Sequence, residues 1–127
     1  MLGTPLGAAA QEQLPVVHPE QRKFEGITIA QLTAPALNAR ADARNAVIVS
    51  TRTLNGDRAA RWAGVIDRSH WGTGTCARMA VLHAKGQLPL NVDFRQEGIL
   101  GTVFTGRLVE ESKIGSYDAV VPTISGS

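Results

Sequence analysis

The sequence holds one cysteine, six aromatic side chains (two Trp, one Tyr and three Phe) and a formal net charge of only +2, and each shortage removes a class of function. Cys76 alone forms no internal disulfide and supplies no cysteine-built zinc site, so no metal is expected. The arginines at Arg40, Arg44, Arg52, Arg58, Arg61 and Arg68 are scattered rather than striped, and few aromatics are available to stack on bases. Nucleic acid is therefore not an expected partner. No apolar run approaches the roughly 20 residues of a membrane span, so no membrane association is expected. The opening Met-Leu-Gly-Thr-Pro-Leu-Gly-Ala-Ala-Ala lacks the positive start and long apolar segment of a secretion signal, which points to a cytoplasmic location.

What remains has a globular composition. With 43% hydrophobic and 19% charged residues over 127 positions, the chain has material for one domain. Pro15 and Pro19 interrupt any long helix near the start, so residues 1–25 read as an N-terminal segment and linker, and 26–127 as a single domain. Residues 26–33 are β-branched and partly alternating, hence a strand; 34–43 form a polar loop. Residues 45–50 form a second strand, whose nearly continuous apolar stretch suits burial on both faces. Asn55-Gly56-Asp57 marks a turn within 51–62, and 61–67 leads back towards the core. After Gly86 the pattern changes to strands at 94–97, 102–111 and 116–124, separated by Gly98 and Gly101 and then by 113–115. With no internal repeat, the arrangement is α+β.

Between the two groups of strands lies the stretch on which the rest is organised, from Asp67 to Gly86. A glycine- and threonine-rich turn, Gly72-Thr73-Gly74-Thr75, precedes good helix formers that end at Gly86, a suitable C′ residue. From Ala77 to Lys85 only Arg78, His83 and Lys85 are polar, so the helix is expected to be central and surrounded by other structure. The turn would sit at the helix opening, where backbone N–H groups lack partners and the absence of large side chains lets a carboxylate or phosphate approach. Taken alone the motif is weak. It has neither the Gly-Lys-[Ser/Thr] ending of a phosphate loop nor the Gly-x-Gly-x-x-Gly dinucleotide pattern.

The same residues carry a resemblance. Asp67-Arg68-Ser69, Gly72-Thr73-Gly74-Thr75 and Ala77-Arg78-Met79-Ala80, followed by Leu82-His83-Ala84-Lys85-Gly86, are similar to the second catalytic segment of the proline racemase and hydroxyproline epimerase family. Val16-Val17-His18-Pro19-Glu20, Ala36-Leu37-Asn38-Ala39, Asn45-Ala46-Val47-Ile48-Val49-Ser50, Phe104-Thr105-Gly106-Arg107 and Val121-Pro122-Thr123-Ile124-Ser125-Gly126 fall in the order that family shows. The resemblance covers nearly all of the chain and about the second half of a family member.

It implies a curled mixed β-sheet wrapped around a central helix, as in one domain of the diaminopimelate epimerase-like fold, with the active site in a cleft between two such domains. It also implies a cofactor-independent isomerase acting on a cyclic imino acid, proline or hydroxyproline, with one cysteine from each domain on opposite faces of the substrate. Gly72 and Thr73 correspond to the backbone donors to the substrate carboxylate, and Asp67 to the aspartate at the ring nitrogen. Trp71 stands at the position of the second-domain cysteine, where the family has Pro-Cys and this chain has His70-Trp71. The first-domain cysteine segment is not in the sequence. A relative with threonine at that position dehydrates 3-hydroxyproline, but indole lacks even the hydroxyl.

Two expectations follow from different classes. One is an isomerase of the proline racemase or 4-hydroxyproline epimerase type. The other is a catalytically inert domain that binds a carboxylate or a partner chain, with an exposed inter-domain face favouring self-association. Individual residues also have ordinary readings: Cys76 as a small buried apolar side chain, His70 as an exposed turn residue, His83 as a hydrogen-bonded residue in the last helical turn, and His18 as shaping the turn into the domain. Asp67 could cap a turn or pair with Arg68, and Trp62 and Trp71 could be core or cleft aromatics.

Overall fold

The computed structural model describes residues 13, 16–24, 29–50, 64–68 and 70–126, with the backbone alone at 49–50 and 64–67. The expected turn at 51–62, Trp62, and the first three residues of the strand expected at 26–33 lie outside the described residues, as does most of the expected linker.

Strand β1 (Ile29–Ala34) pairs antiparallel with β2 (Ala43–Ser50) along its whole length. The far edge of β2 is divided. Its first two residues, Ala43 and Arg44, pair in parallel with β4 (Asp93–Glu97), whereas residues 47–50 pair antiparallel with β3 (Gly64–Asp67). Asn45 and Ala46 therefore lie at a fork in the sheet. From β4 the sheet continues antiparallel through β5 (Val103–Ile114) to β6 (Tyr117–Ser125), giving six strands in one mixed sheet. Val47 and Ile48 are both buried although they point to opposite sides of the pleat, which accounts for the continuous apolar run in β2.

The helix α1 (Gly72–Ala84) packs on β5 and β6. It does so with one stripe, Thr75, Met79 and Leu82, at helical spacing. Met79 joins Leu88, Phe94 and Leu108 in the core, with Ala43, Leu90, Val120 and Ile124 around them. Gly106 makes room for it: a Cβ at that position would stand 2.6 Å from both Sδ and Cε of Met79. The opposite stripe, Thr73, Ala77, Val81 and Ala84, is exposed, Val81 to 45%. Among the described residues the helix is thus covered on one side rather than surrounded. Alanine gives a helix an apolar composition while losing little in water, so Ala77 and Ala84 read as buried in the sequence although no described residue covers them.

The helix ends as its sequence predicts. Gly86 adopts φ 71, its N–H donates to His83 O at 2.9 Å, and Gln87 N–H donates to Leu82 O at 2.8 Å, the paired bonds of a Schellman closure. The β5–β6 hairpin runs three residues past the boundary expected at 111, closing on Gly115 (φ 59) and Ser116. Its polar residues pair across the strands, Lys113 with Asp118 by an ion pair, so polarity here marks a solvated hairpin rather than a strand end. A bulge between Leu108 and Glu110 shifts the alternation of β5 by one. As a result Glu111, not Glu110, faces His83 of the helix.

Residues 16–24 seat on the hairpin tip. Gly115 N–H donates to Glu20 Oε1 at 2.9 Å, and Pro19 lies against the same glycine. His18 organises this turn by accepting from Glu20 N–H at 3.2 Å and Gln21 N–H at 3.1 Å through Nδ1. On the other side of the sheet, the buried Glu97 holds the β1–β2 loop by accepting from Leu37 N–H at 2.8 Å and Asn38 N–H at 3.1 Å. Among the described residues no helix is long and apolar enough to cross a membrane.

Candidate functional site

The helix opens at the fork of the sheet. Gly72-Thr73-Gly74-Thr75, expected as a turn ahead of the helix, is its first turn, and Trp71 is the N-cap residue with φ 53 and ψ 93. Small residues at 72–75 allow the chain to pass from a left-handed cap directly into the helix, which is why the glycine signal falls one turn later than a loop reading places it. The N–H groups of Gly72, Thr73 and Gly74 have no acceptor within the helix, and the macrodipole places partial positive charge there. A Cβ at Gly72 would meet nothing within 4 Å, and Thr73 is exposed, so this side of the opening is accessible. Gly74 is covered. Its missing Cβ would coincide with the indole of Trp71, which folds back over the first turn.

Thr75 and two amide side chains hold the opening in place. Trp71 O accepts the first helical bond from Thr75 N–H at 2.9 Å, and the Thr75 hydroxyl lies 3.0 Å from Trp71 O and 3.1 Å from His70 O. Asn45 Nδ2 donates to His70 O at 3.0 Å and to Gln31 Oε1 at 2.7 Å, while Gln31 Nε2 donates to Gly74 O at 3.2 Å. Because every acceptor here is a carbonyl oxygen, the orientation of both side-chain amides is fixed by the bonds themselves. Gln96, on the helix side of β4, is fully buried with neither amide atom bonded to a protein group. The floor of the fork is therefore polar as well as enclosed.

His70 is buried, 5% exposed, rather than an exposed turn residue. Its ring stacks on Phe104 with centroids 4.0 Å apart, shares a hydrogen bond with Thr102 Oγ1 at 2.7 Å through Nε2, and lies against Gly98. These contacts commit the imidazole to packing. Asp67 ends β3 opposite Val47, five positions before Gly72, and its side chain lies outside the described parts. Cys76 follows the first turn, half-buried, and desolvation raises its thiol above the ordinary value. It is thus a poorer thiolate than a free cysteine. Of the residues singled out in the sequence, Trp71, Gly72 and Thr73 come together at the opening.

At the opposite end of the helix an open groove of about 570 Å³ lies between Ala80, His83 and Ala84 and the hairpin residues 111–113 and 118–120. His83 crosses it, with Nδ1 2.8 Å from Leu88 O and Nε2 2.8 Å from Glu111 Oε1. Both partners are acceptors, so the doubly protonated ring satisfies both, and the bond to Leu88 O followed by that to Glu111 raises its pKa. Among the described residues no group of three or more His, Cys, Asp or Glu could hold a metal ion.

Gln31 and Asn45 were not predicted as site residues, and Thr75 was singled out only as part of the glycine- and threonine-rich turn. The signal for the two amides is slight: one in each of two strands rich in β-branched or apolar residues, with meaning only once the fork brings both to the helix.

Comparison with known proteins adds the family context. The proline racemase family model matches residues 1–127. The chain is 45% identical over 118 residues to the 4-hydroxyproline 2-epimerase of Streptosporangium roseum, covering 93% of this chain and 32% of that protein. It is 34% identical over 125 residues to the proline racemase of Acetoanaerobium sticklandii, covering 98% and 34%. A hydroxyproline epimerase from Agrobacterium vitis, solved with bound trans-4-hydroxy-L-proline, superimposes with a TM-score of 0.80 at 27% identity, covering 98% of this chain and 32% of that one. The chain spans about a third of the length of these relatives, less than the half expected from its motifs.

Proposed function

The chain belongs to the proline racemase family, and on that ground we propose that it holds a cyclic imino acid, proline or a hydroxyproline, by its carboxylate without itself moving the α-proton. The observation that carries this reading is the helix opening, where the accessible first-turn residues Gly72 and Thr73 adjoin an indole at position 71. First-turn amides and the positive end of the helix dipole favour a carboxylate. Gly72 and Thr73 serve as its donors. Asp67, at the end of the neighbouring strand, is the partner of the ring nitrogen. We read the sheet and helix as one domain of the diaminopimelate epimerase-like fold, with a companion domain completing the site in an active isomerase.

Inverting a carbon next to a carboxylate requires a base on one face and an acid on the other. The indole of Trp71 is a donor only and cannot accept the proton. Loss of one such group ordinarily lowers the rate by about 10²–10⁴. Cys76 does not replace it, because burial raises its thiol pKa and the helix carries it past the opening. The chemistry assigned to the intact site is proton transfer alone and uses no cofactor.

The test is to incubate the protein with L-proline and with trans-4-hydroxy-L-proline in deuterated buffer and follow the α-proton by NMR. Binding without α-proton loss is the expected result. Protein-dependent deuterium incorporation would overturn the assignment of a silent site.

A further inference from the structure

We propose that Asn45, acting with Gln31 and Thr75, is the positioning residue of the carboxylate site, an inference that rests on the reading of Gly72 and Thr73 given above. The two side-chain amides grip carbonyls on either side of the opening, Asn45 that of His70 and Gln31 that of Gly74. These carbonyls bracket the segment 71–74, which contains the cap and the candidate donors. A bond from Asn45 Nδ2 to Gln31 Oε1 ties the two grips together. The bracket therefore acts as one unit rather than two separate contacts.

Thr75 fixes the part between them. The peptide that carries Gly72 N–H has Trp71 O at its other end, and that oxygen accepts from Thr75 N–H and lies within bonding distance of the Thr75 hydroxyl. The hydroxyl has one proton and two carbonyls in reach, so it can serve Trp71 O fully only while another donor satisfies His70 O. Asn45 is that donor. Without it the threonine would be drawn to His70 O, and the Gly72 peptide would lose one of the bonds that set its plane.

The surroundings suit a rigid clamp. Asn45 and Thr75 are buried, and Asn45 sits where β2 passes from β4 to β3, so its backbone is held by sheet pairing on both sides of the fork. The helix beyond the first turn is anchored independently by Met79 in the core. Disturbing the clamp should accordingly reorient the opening while leaving the rest of the helix in place.

The experiment uses the full chain, ¹⁵N-labelled and weakly aligned, with residual dipolar couplings of the Gly72, Thr73 and Val81 amides and a titration with trans-4-hydroxy-L-proline. Asn45→Ala should change the couplings at Gly72 and Thr73 but not at Val81, and weaken binding about tenfold, the effect of one buried hydrogen bond left unmade. Gln31→Leu should do the same to a smaller degree, and Thr75→Ser should preserve both readouts where Thr75→Val does not. Leu88→Ala, a core change of comparable or larger stability cost, should leave the couplings at 72 and 73 as they are. If Asn45→Ala does not fold, Gln31→Leu decides. Unchanged couplings at 72 and 73 in the clamp variants, or equal changes in Leu88→Ala, would overturn the proposal. If the unsubstituted chain binds no imino acid, the carboxylate reading fails while the couplings still decide whether Asn45 positions the opening.

Discussion

Gly74→Ala is the substitution for which helix propensity and the packing at the opening give opposite answers. Alanine in a helix is ordinarily more stable than glycine by roughly 0.5–1 kcal/mol. At this position the new Cβ would stand 2.5 Å from Trp71 Cζ3 and nearer still to two other ring carbons. A rigid indole cannot yield as a flexible chain end would, so either the ring leaves the first turn or the cap shifts. Overpacking of this kind costs about 1–3 kcal/mol. The net expectation is destabilisation by about 1 kcal/mol, roughly 4 °C in Tm for a chain of this size. Gly72→Ala meets nothing within 4 Å and should be neutral or slightly stabilising. Thermal and urea unfolding of both variants, followed by fluorescence in a Trp62→Phe background so that Trp71 is the sole indole, compares the two directly. Gly74→Ala as stable as Gly72→Ala, with unchanged Trp71 emission, would refute the placement of the ring over the first turn.

Three further outcomes follow from the same structure. His83 has a raised pKa because Leu88 O and Glu111 favour its charged form, so its stabilising contribution is fully present below the ordinary value of 6.5 and is lost as pH rises through the higher folded value. Thermal stability across that window should therefore fall more steeply with pH in the parent chain than in His83→Gln, and parallel curves would contradict the assignment. Gly106→Ala should cost no more than about 1 kcal/mol, because the added methyl first meets the flexible thioether end of Met79, which can move aside as the Trp71 ring cannot; a loss above about 3 kcal/mol in urea unfolding would be the contrary finding. Glu97→Gln removes the charge from a buried acceptor of two backbone N–H bonds and should cost about 1–2 kcal/mol, whereas a loss below 0.5 kcal/mol, on the order of a surface substitution, would count against that role.

Elements with a clear period or stop signal were legible in the sequence. Strand β4, the closure at Gly86 and the doubly buried β2 stand close to where their residues put them. The helix opening was legible as a place but not in its geometry, because glycine and threonine serve equally well in a loop and in a first turn next to a left-handed cap. His70 was misread because its burial depends on Phe104 and Gly98, some 30 residues away in sequence, and no local pattern reports such a contact. The roles of Gln31 and Asn45 were invisible for the same reason: each looks like an ordinary polar residue at one position in a strand until the sheet divides beside the helix. The hairpin was underestimated because Lys113, read as part of the separator between strands, is satisfied across the hairpin by Asp118.

The claim on which the rest depends is that first-turn amides at Gly72 and Thr73 receive a carboxylate. A ¹⁵N–¹H correlation titration of the full chain with trans-4-hydroxy-L-proline tests it directly. Saturable shifts centred on the Gly72 and Thr73 amides are predicted, with the hairpin end of the helix around His83 unaffected. A spectrum that does not move at Gly72 and Thr73, or that saturates instead at residues remote from the helix opening, would contradict it.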